Sequence, residues 1–205
     1  MTVTPLQRAI GRAVTRRTQD VERCGLCAAP VAAKHRHVLD GQDGPLLCAC
    51  SACVLLFDQD AAGGGRYRLV PTGRIRLANA SVDALNVPVG LAFFVKQDDG
   101  RVLAHYPSPL GTTETEIDLQ AWRGVERGSP PLLAMRPRVE ALLVRSSTVR
   151  GREEQWILPV DDCFRLVAVI REHWTGMAGG SVLWREVARF FAEFDGRPGQ
   201  GTGTE

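Results

Sequence analysis

The sequence predicts an α+β protein in two parts: a small zinc-ribbon-like module built on four cysteines, then a mainly antiparallel sheet with C-terminal helices. Three observations carry that expectation. Five of the six cysteines fall between Cys24 and Cys53. From Arg66 onward several short runs alternate apolar and polar residues, the spacing of strands with one buried face. After Asp161 the apolar residues recur at helical spacing instead, and strands followed by helices is the element order of an α+β fold.

Taken in chain order, residues 1–20 place Leu6, Ile10, Ala13 and Val14 on one helical stripe, with Arg8, Arg12, Arg16 and Arg17 mostly off it. Thr4 before Pro5 is a start signal. This predicts a basic amphipathic helix docked on the surface, with a transit peptide or a nucleic-acid arm as the alternatives. Residues 21–57 form the cysteine-rich module. The stretch "DQDAAGGG" at 58–65 has the composition of a hinge and marks the expected boundary of an α+β domain over 66–194. Within it, "RYRLV" and "RIRLA" flank Pro71, Thr72 and Gly73, which predicts a hairpin from Arg66 to Ala78. Such a hairpin would gather Arg66, Arg68, Arg74 and Arg76 near one face, where a solvated sheet is the commoner reading and a phosphate or RNA patch the sharper one.

Further strands are expected at Leu91–Val95, Val102–Tyr106, Val139–Val144 and Gln155–Leu158, with "QDDG" ending at Gly100 as the turn between the first two. A helix then opens with Asp161 or Asp162 as its cap and sets Cys163, Leu166, Val167, Ile170 and Trp174 on one side. A second begins near Ser181 with Leu183, Val187, Phe190, Phe191 and Phe194 as its stripe. The tail, 195–205, has no apolar anchor and is expected to be disordered.

The cysteines carry the chemistry. Cys24 with Cys27 is one C-x-x-C pair, and Cys50 with Cys53 is another, separated by the 22 residues from Ala28 to Ala49. Each pair offers two soft ligands from one tight turn, and two such turns close a tetrahedral site. Gly25 is expected to relieve the backbone where its amides turn toward sulfur. Zinc is favoured by geometry and availability, while rubredoxin-like iron or an iron–sulfur cluster would use the same ligands. Cys48 extends the second pair to C-x-C-x-x-C as a candidate substitute ligand or accessory thiol. His35 and His37 form an H-x-H pair whose rings would point the same way in a strand, making them candidates for a second metal site, for second-shell hydrogen bonding or for plain surface residues. Disulfides are disfavoured by the chain's length and by the reducing cytosol where it is expected.

Other chemistry finds little support. His105 and His173 have no neighbouring nucleophile and read as structural residues, Cys163 reads as core packing, and no phosphate loop, nucleophile elbow or dinucleotide fingerprint is present. No active site is expected. A net charge of +2 is too mild to point to nucleic acid. No run approaches the roughly 20 apolar residues of a membrane helix, and the N-terminus lacks a secretory apolar core, so a cytoplasmic location without membrane attachment is expected.

The segments "CGLCAAPVAAKHRHVLD", "LLCACSACVLLFD", "GGGRYRLVP", "VPVGLAFF", "YPSPLGTTE" and "LPVDDCFRLVAVIREHWTGMAGG" together resemble an uncharacterised family of actinobacterial proteins encoded near high-affinity nickel-iron hydrogenases. The similarity runs from about Val21 to Phe194. It maps the family's cysteines onto Cys24, Cys27, Cys48, Cys50 and Cys53 and its histidine pair onto His35 and His37. What the resemblance implies is genomic company rather than an activity. The function expected is that of a metal-binding accessory or interaction protein supporting assembly or maturation of a hydrogenase-type metalloenzyme, with a hydrogenase component as partner. An electron carrier is the first alternative, and an RNA- or phosphate-binding zinc protein the second.

Overall fold

A computed structural model describes residues 21–41, 44–57, 65–77, 82, 85, 90–147, 152–177 and 179–195. The helix expected over 1–20, most of the expected hinge and the tail from 196 onward lie outside these residues, while Asp195, placed in the tail by sequence, closes the last helix. The chain divides into two compact units, Met1–Leu69 and Val70–Glu205.

The first unit contains β1 (Arg36–Asp40), β2 (Leu46–Ala49), the short helix α1 (Ser51–Leu56) and β3 (Tyr67–Leu69). They form an antiparallel sheet in the order β2-β1-β3. Val38 and Leu39 of β1 are buried, as is Ala49 of β2. β3 is held to β1 by its register, Leu39 opposite Arg68 and Asp40 opposite Tyr67, and by the Arg66 guanidinium, 3.1 Å from the Asp40 carboxylate.

That pairing overturns the expected Arg66–Ala78 hairpin. Tyr67–Leu69 joins the cysteine module, whereas Ile75–Leu77 joins a different sheet in the second unit. The alternation of "RYRLV" and "RIRLA" was real, but period two says only that each run is a strand, not which strand it pairs with. The four arginines therefore do not line one hairpin. Arg74 binds Asp162 at 2.7 Å, and Arg76 lies over the Trp156 ring at 5.4 Å.

The second unit is built on β4 (Ile75–Leu77), β5 (Leu91–Lys96), β6 (Val102–Ser108), β7 (Gly111–Glu116), α2 (Leu119–Gly128), α3 (Pro130–Leu133), β8 (Glu140–Ser147), β9 (Arg152–Pro159), α4 (Val160–His173) and α5 (Gly180–Asp195). Its six-stranded sheet runs β4-β9-β8-β5-β6-β7, with every neighbouring pair antiparallel. Gly100, at φ 87, turns β5 into β6 as "QDDG" predicts. Alternation gives the sheet two apolar faces. Ala92, Phe94, Ala104, Leu142, Val144 and Ile157 meet Trp122 and Val125 of α2 and Leu132 of α3. On the other face Phe93 meets Phe164 of α4, and Trp156 meets Phe194 of α5.

The predicted stripes of the two C-terminal helices are buried, from Cys163, Leu166, Val167 and Ile170 to Leu183, Val187, Phe190, Phe191 and Phe194. Trp174 falls just beyond α4, where its ring N–H donates to the Gly176 carbonyl. The expected cap is a correction: Pro159 occupies the N-cap position, and Asp161 and Asp162 lie in the first turn. Asp162 instead pairs with Arg74 and, at 3.3 Å, with Arg165. His105, expected to be a satisfied structural residue, is buried and stacked on Phe93 with the rings parallel and 4.6 Å apart; its Nδ1 lies 3.4 Å from a Glu114 carboxylate oxygen but makes no well-formed hydrogen bond. Burial pushes its pKa below the ordinary histidine value, against a smaller opposite pull from Glu114. Among the described residues, no helix is long and apolar enough to cross a membrane.

Candidate metal centre

The two C-x-x-C pairs meet at one end of the small sheet. The first lies in a tight turn that opens with Arg23 bridged to Pro30; the Cys24 amide donates to the Ala29 carbonyl and the Ala28 amide to the Cys24 carbonyl, both at 2.8 Å. The Gly25 amide donates to the Cys48 carbonyl, also at 2.8 Å, which seats the turn against β2. The second pair straddles the start of α1, with Cys50 as its N-cap and Cys53 buried within it.

The thiol atoms of Cys24, Cys27, Cys50 and Cys53 all lie within 4.8 Å of one another, and those of Cys27 and Cys50 are 3.6 Å apart. Two thiolates bound to one zinc at about 2.3 Å in tetrahedral geometry stand about 3.8 Å apart, whereas a disulfide brings them to about 2.05 Å. The cluster therefore has the dimensions of a ligand set, and every cysteine in it is a free thiol.

Backbone amides prepare the site for negative charge. Burial favours the neutral Cys24 thiol, but amides of Cys50, Leu26 and Cys27 aimed at its sulfur outweigh that and bring its pKa down to about 6. The Cys53 amide likewise draws Cys50 below its ordinary value. Cys27 receives the Ala29 amide, which favours thiolate, yet its bonds to the Cys24 and Cys50 sulfurs leave it raised. Cys53 is pushed up to about 12 by its bond to Cys27, with burial adding to the effect. Four crowded sulfurs cannot all ionise unaided, and a cation bound among them would relieve that conflict.

Two backbone details differ from the sequence reading or escape it. Gly25 is needed for space: a Cβ there would stand 3.0 Å from the Leu47 Cβ. The left-handed residue of the turn is Ala28, at φ 61, a conformation that costs an L-residue roughly 1–2 kcal/mol. Ala28 is exposed. Ala28→Gly should therefore strengthen this unit by about 0.5–1 kcal/mol, after the extra freedom that glycine gives the unfolded chain is deducted. If the four thiols hold a metal, the expected reading is a few-fold higher resistance of that metal to a competing chelator, and weaker retention would show that the alanine is not strained.

Cys48 does not stand with these four thiols. It groups with His35 and His37, the three offering ligand atoms within 4.8 Å of one another. Burial, with a smaller contribution from Glu22, raises its pKa above the ordinary thiol value. Cys163, in the second unit, is fully buried in the core with its thiol pKa raised well above the ordinary value. His173 lies in the last turn of α4, 4.0 Å from the Glu172 carboxylate.

The chain matches no curated protein and no solved structure. It does match, over residues 23–198, a family described only by its unknown function, DUF5947. That span takes in all five clustered cysteines, both histidines of the small sheet and the whole described body, and the chain belongs to this family.

Proposed function

We propose that this chain is a metal-binding accessory protein, acting in the cytoplasm, that holds a structural zinc ion through Cys24, Cys27, Cys50 and Cys53 and docks a protein client. The observation that carries the reading is the four-thiol cluster, whose 3.6 Å Cys27–Cys50 separation suits two ligands of one tetrahedral ion. Four protein ligands close the coordination sphere, which is the arrangement of structural rather than catalytic zinc. Support for docking comes from the same unit: Leu55 and Leu56 on α1 are 77% and 64% exposed, beside a cleft of about 420 Å³ lined by Pro30, Val31, Val54 and Leu55 among others. Exposed leucines in adjacent positions next to a concave surface are the kind of feature a partner covers. The resemblance stated above extends the proposal to the client, a component of a nickel-iron hydrogenase whose assembly or maturation this protein would assist.

The test has two readings. Elemental analysis with an absorption spectrum should give a colourless protein with zinc that resists mild chelation, and visible charge-transfer bands would replace zinc by iron and the accessory role by electron transfer. A tagged chain recovered from cells expressing the hydrogenase genes should bring down a hydrogenase component, and a Leu55→Glu, Leu56→Glu variant should lose it while keeping its zinc. Recovery of RNA, or of the same partner by the variant, would overturn the docking reading.

A further inference from the structure

We propose a second metal site, independent of the four-cysteine centre, in which His35, His37 and Cys48 hold a divalent transition-metal ion of borderline softness, such as Zn2+, and leave one coordination position open. The sheet itself builds the constellation. His37 in β1 lies directly opposite Cys48 in β2, and residues directly opposite in an antiparallel pair project their side chains to the same face. His35, the residue just before β1, is brought alongside them. The result is one thiol and two imidazoles whose ligand atoms lie within 4.8 Å of one another, with the two rings 4.7 Å apart between centroids.

His35 supplies the second, independent observation. Its Nδ1 is 2.9 Å from the Ala32 carbonyl oxygen and 3.7 Å from a Glu22 carboxylate oxygen. A carbonyl can only accept, so a proton sits on Nδ1, and in the neutral ring that binds a metal the lone pair is on Nε2. That Nε2 is buried and has no hydrogen-bond partner, in a side chain only 9% exposed. A buried acceptor left unsatisfied costs about 1–3 kcal/mol, and a metal ion is the partner that this tautomer suits. The Nδ1–H bond to a carbonyl, with a carboxylate nearby, is also the outer arrangement that orients metal-binding histidines.

The composition of the set decides its chemistry. One thiolate and two neutral imidazoles suit zinc and its late transition-metal neighbours rather than magnesium or calcium. On binding, the Cys48 S–H bond breaks, the proton leaves to solvent, and a sulfur–metal bond forms; the histidines bind without proton loss. Three protein ligands leave the fourth position to water or to a donor from another molecule, the arrangement of zinc sites that exchange ligands rather than merely brace a fold.

Full-length reduced protein, equilibrated with Zn2+ alone and freed of loose ion by gel filtration, should carry two zinc per chain. A chromogenic chelator should take one quickly and the other slowly. His37→Gln and Cys48→Ser should each carry one zinc and lose the fast phase, with the slow zinc reporting that the unit remains folded. Should Cys48→Ser lose both ions, His37→Gln alone decides. A wild-type chain with slow zinc only, or a fast phase that survives in His37→Gln, overturns the proposal. Failure of the four-cysteine reading has a different signature, loss of the slow zinc.

Discussion

A strong chelator should unfold the first unit and leave the second intact. Among the described residues the first unit buries few apolar side chains, chiefly Val38, Leu39 and Ala49 beside Cys24 and Cys53. A fully buried valine or leucine contributes roughly 1.5–3 kcal/mol, whereas ordering each residue costs about 1–2 kcal/mol in backbone entropy. So small a core cannot hold three strands and a helix without help, and a structural zinc supplies on the order of 10 kcal/mol of apparent free energy. Cys53→Ser should do what the chelator does, because it leaves the ion with three thiolates. The distribution of aromatic residues makes the readout clean: Trp122, Trp156, Trp174 and Trp184 all belong to the second unit. Chelation should therefore expose the cysteines to a thiol reagent and remove part of the far-ultraviolet dichroism, with tryptophan emission unchanged. Cysteines that stay protected in chelator would show that packing alone suffices.

Trp122→Ala should cost the second unit about 3–5 kcal/mol, as expected for emptying a large buried aromatic site. Trp122 is 1% exposed and packs between Val125, its neighbour on α2, and the sheet face that carries Phe94. Lys96, which reaches Glu126 at 2.6 Å and the Leu132 carbonyl at 2.7 Å, is the polar counterpart. At roughly 3 °C per kcal/mol for a domain of this size, the thermal midpoint should fall by about 10 °C or more. Trp122→Phe is the informative companion. The Trp122 ring N–H is buried without a partner, so phenylalanine removes an unsatisfied donor worth about 1–3 kcal/mol while giving up part of the ring volume. Its loss should be less than half that of alanine, and equal losses would show that removing the N–H brings no relief.

What the sequence reveals and what it hides divide along physical lines. Cys24, Cys27, Cys50 and Cys53 were legible because ligand spacing is a local property of two short turns. The helices α4 and α5 were legible because a long apolar stripe repeats enough times to be unambiguous. The helix α2 was not: it is ten residues long, with Gly124 inside it and Gly128 at its end, and buries only Trp122 and Val125, while its Asp118 cap, accepting from the Ala121 amide at 2.9 Å, is a single common residue. The partner of β3 was also hidden, since β1 lies about thirty residues away and nothing local specifies so distant a pairing. Asp162 looked like a cap because a helix start attracts acids, and only the fold shows that Arg74 reaches it. The grouping of Cys48 with the histidines likewise depends on the β1–β2 register, which sequence spacing does not fix.

Among the described residues the order of the large sheet places β7 and β4 at its two borders, and the composition of those borders bears on whether copies of this protein stick to one another. An unpaired outer strand is a template for intermolecular pairing. β7 reads "GTTETE", with the Glu114 and Glu116 side chains 56% and 57% exposed, so a second copy aligning along it would bring like carboxylates together. Among the described residues β4 spans Ile75 to Leu77, with Arg76 in the middle. Charge at the β7 border should weigh against edge-to-edge pairing of copies, and neutralising Glu114 and Glu116 together should make self-association measurably stronger.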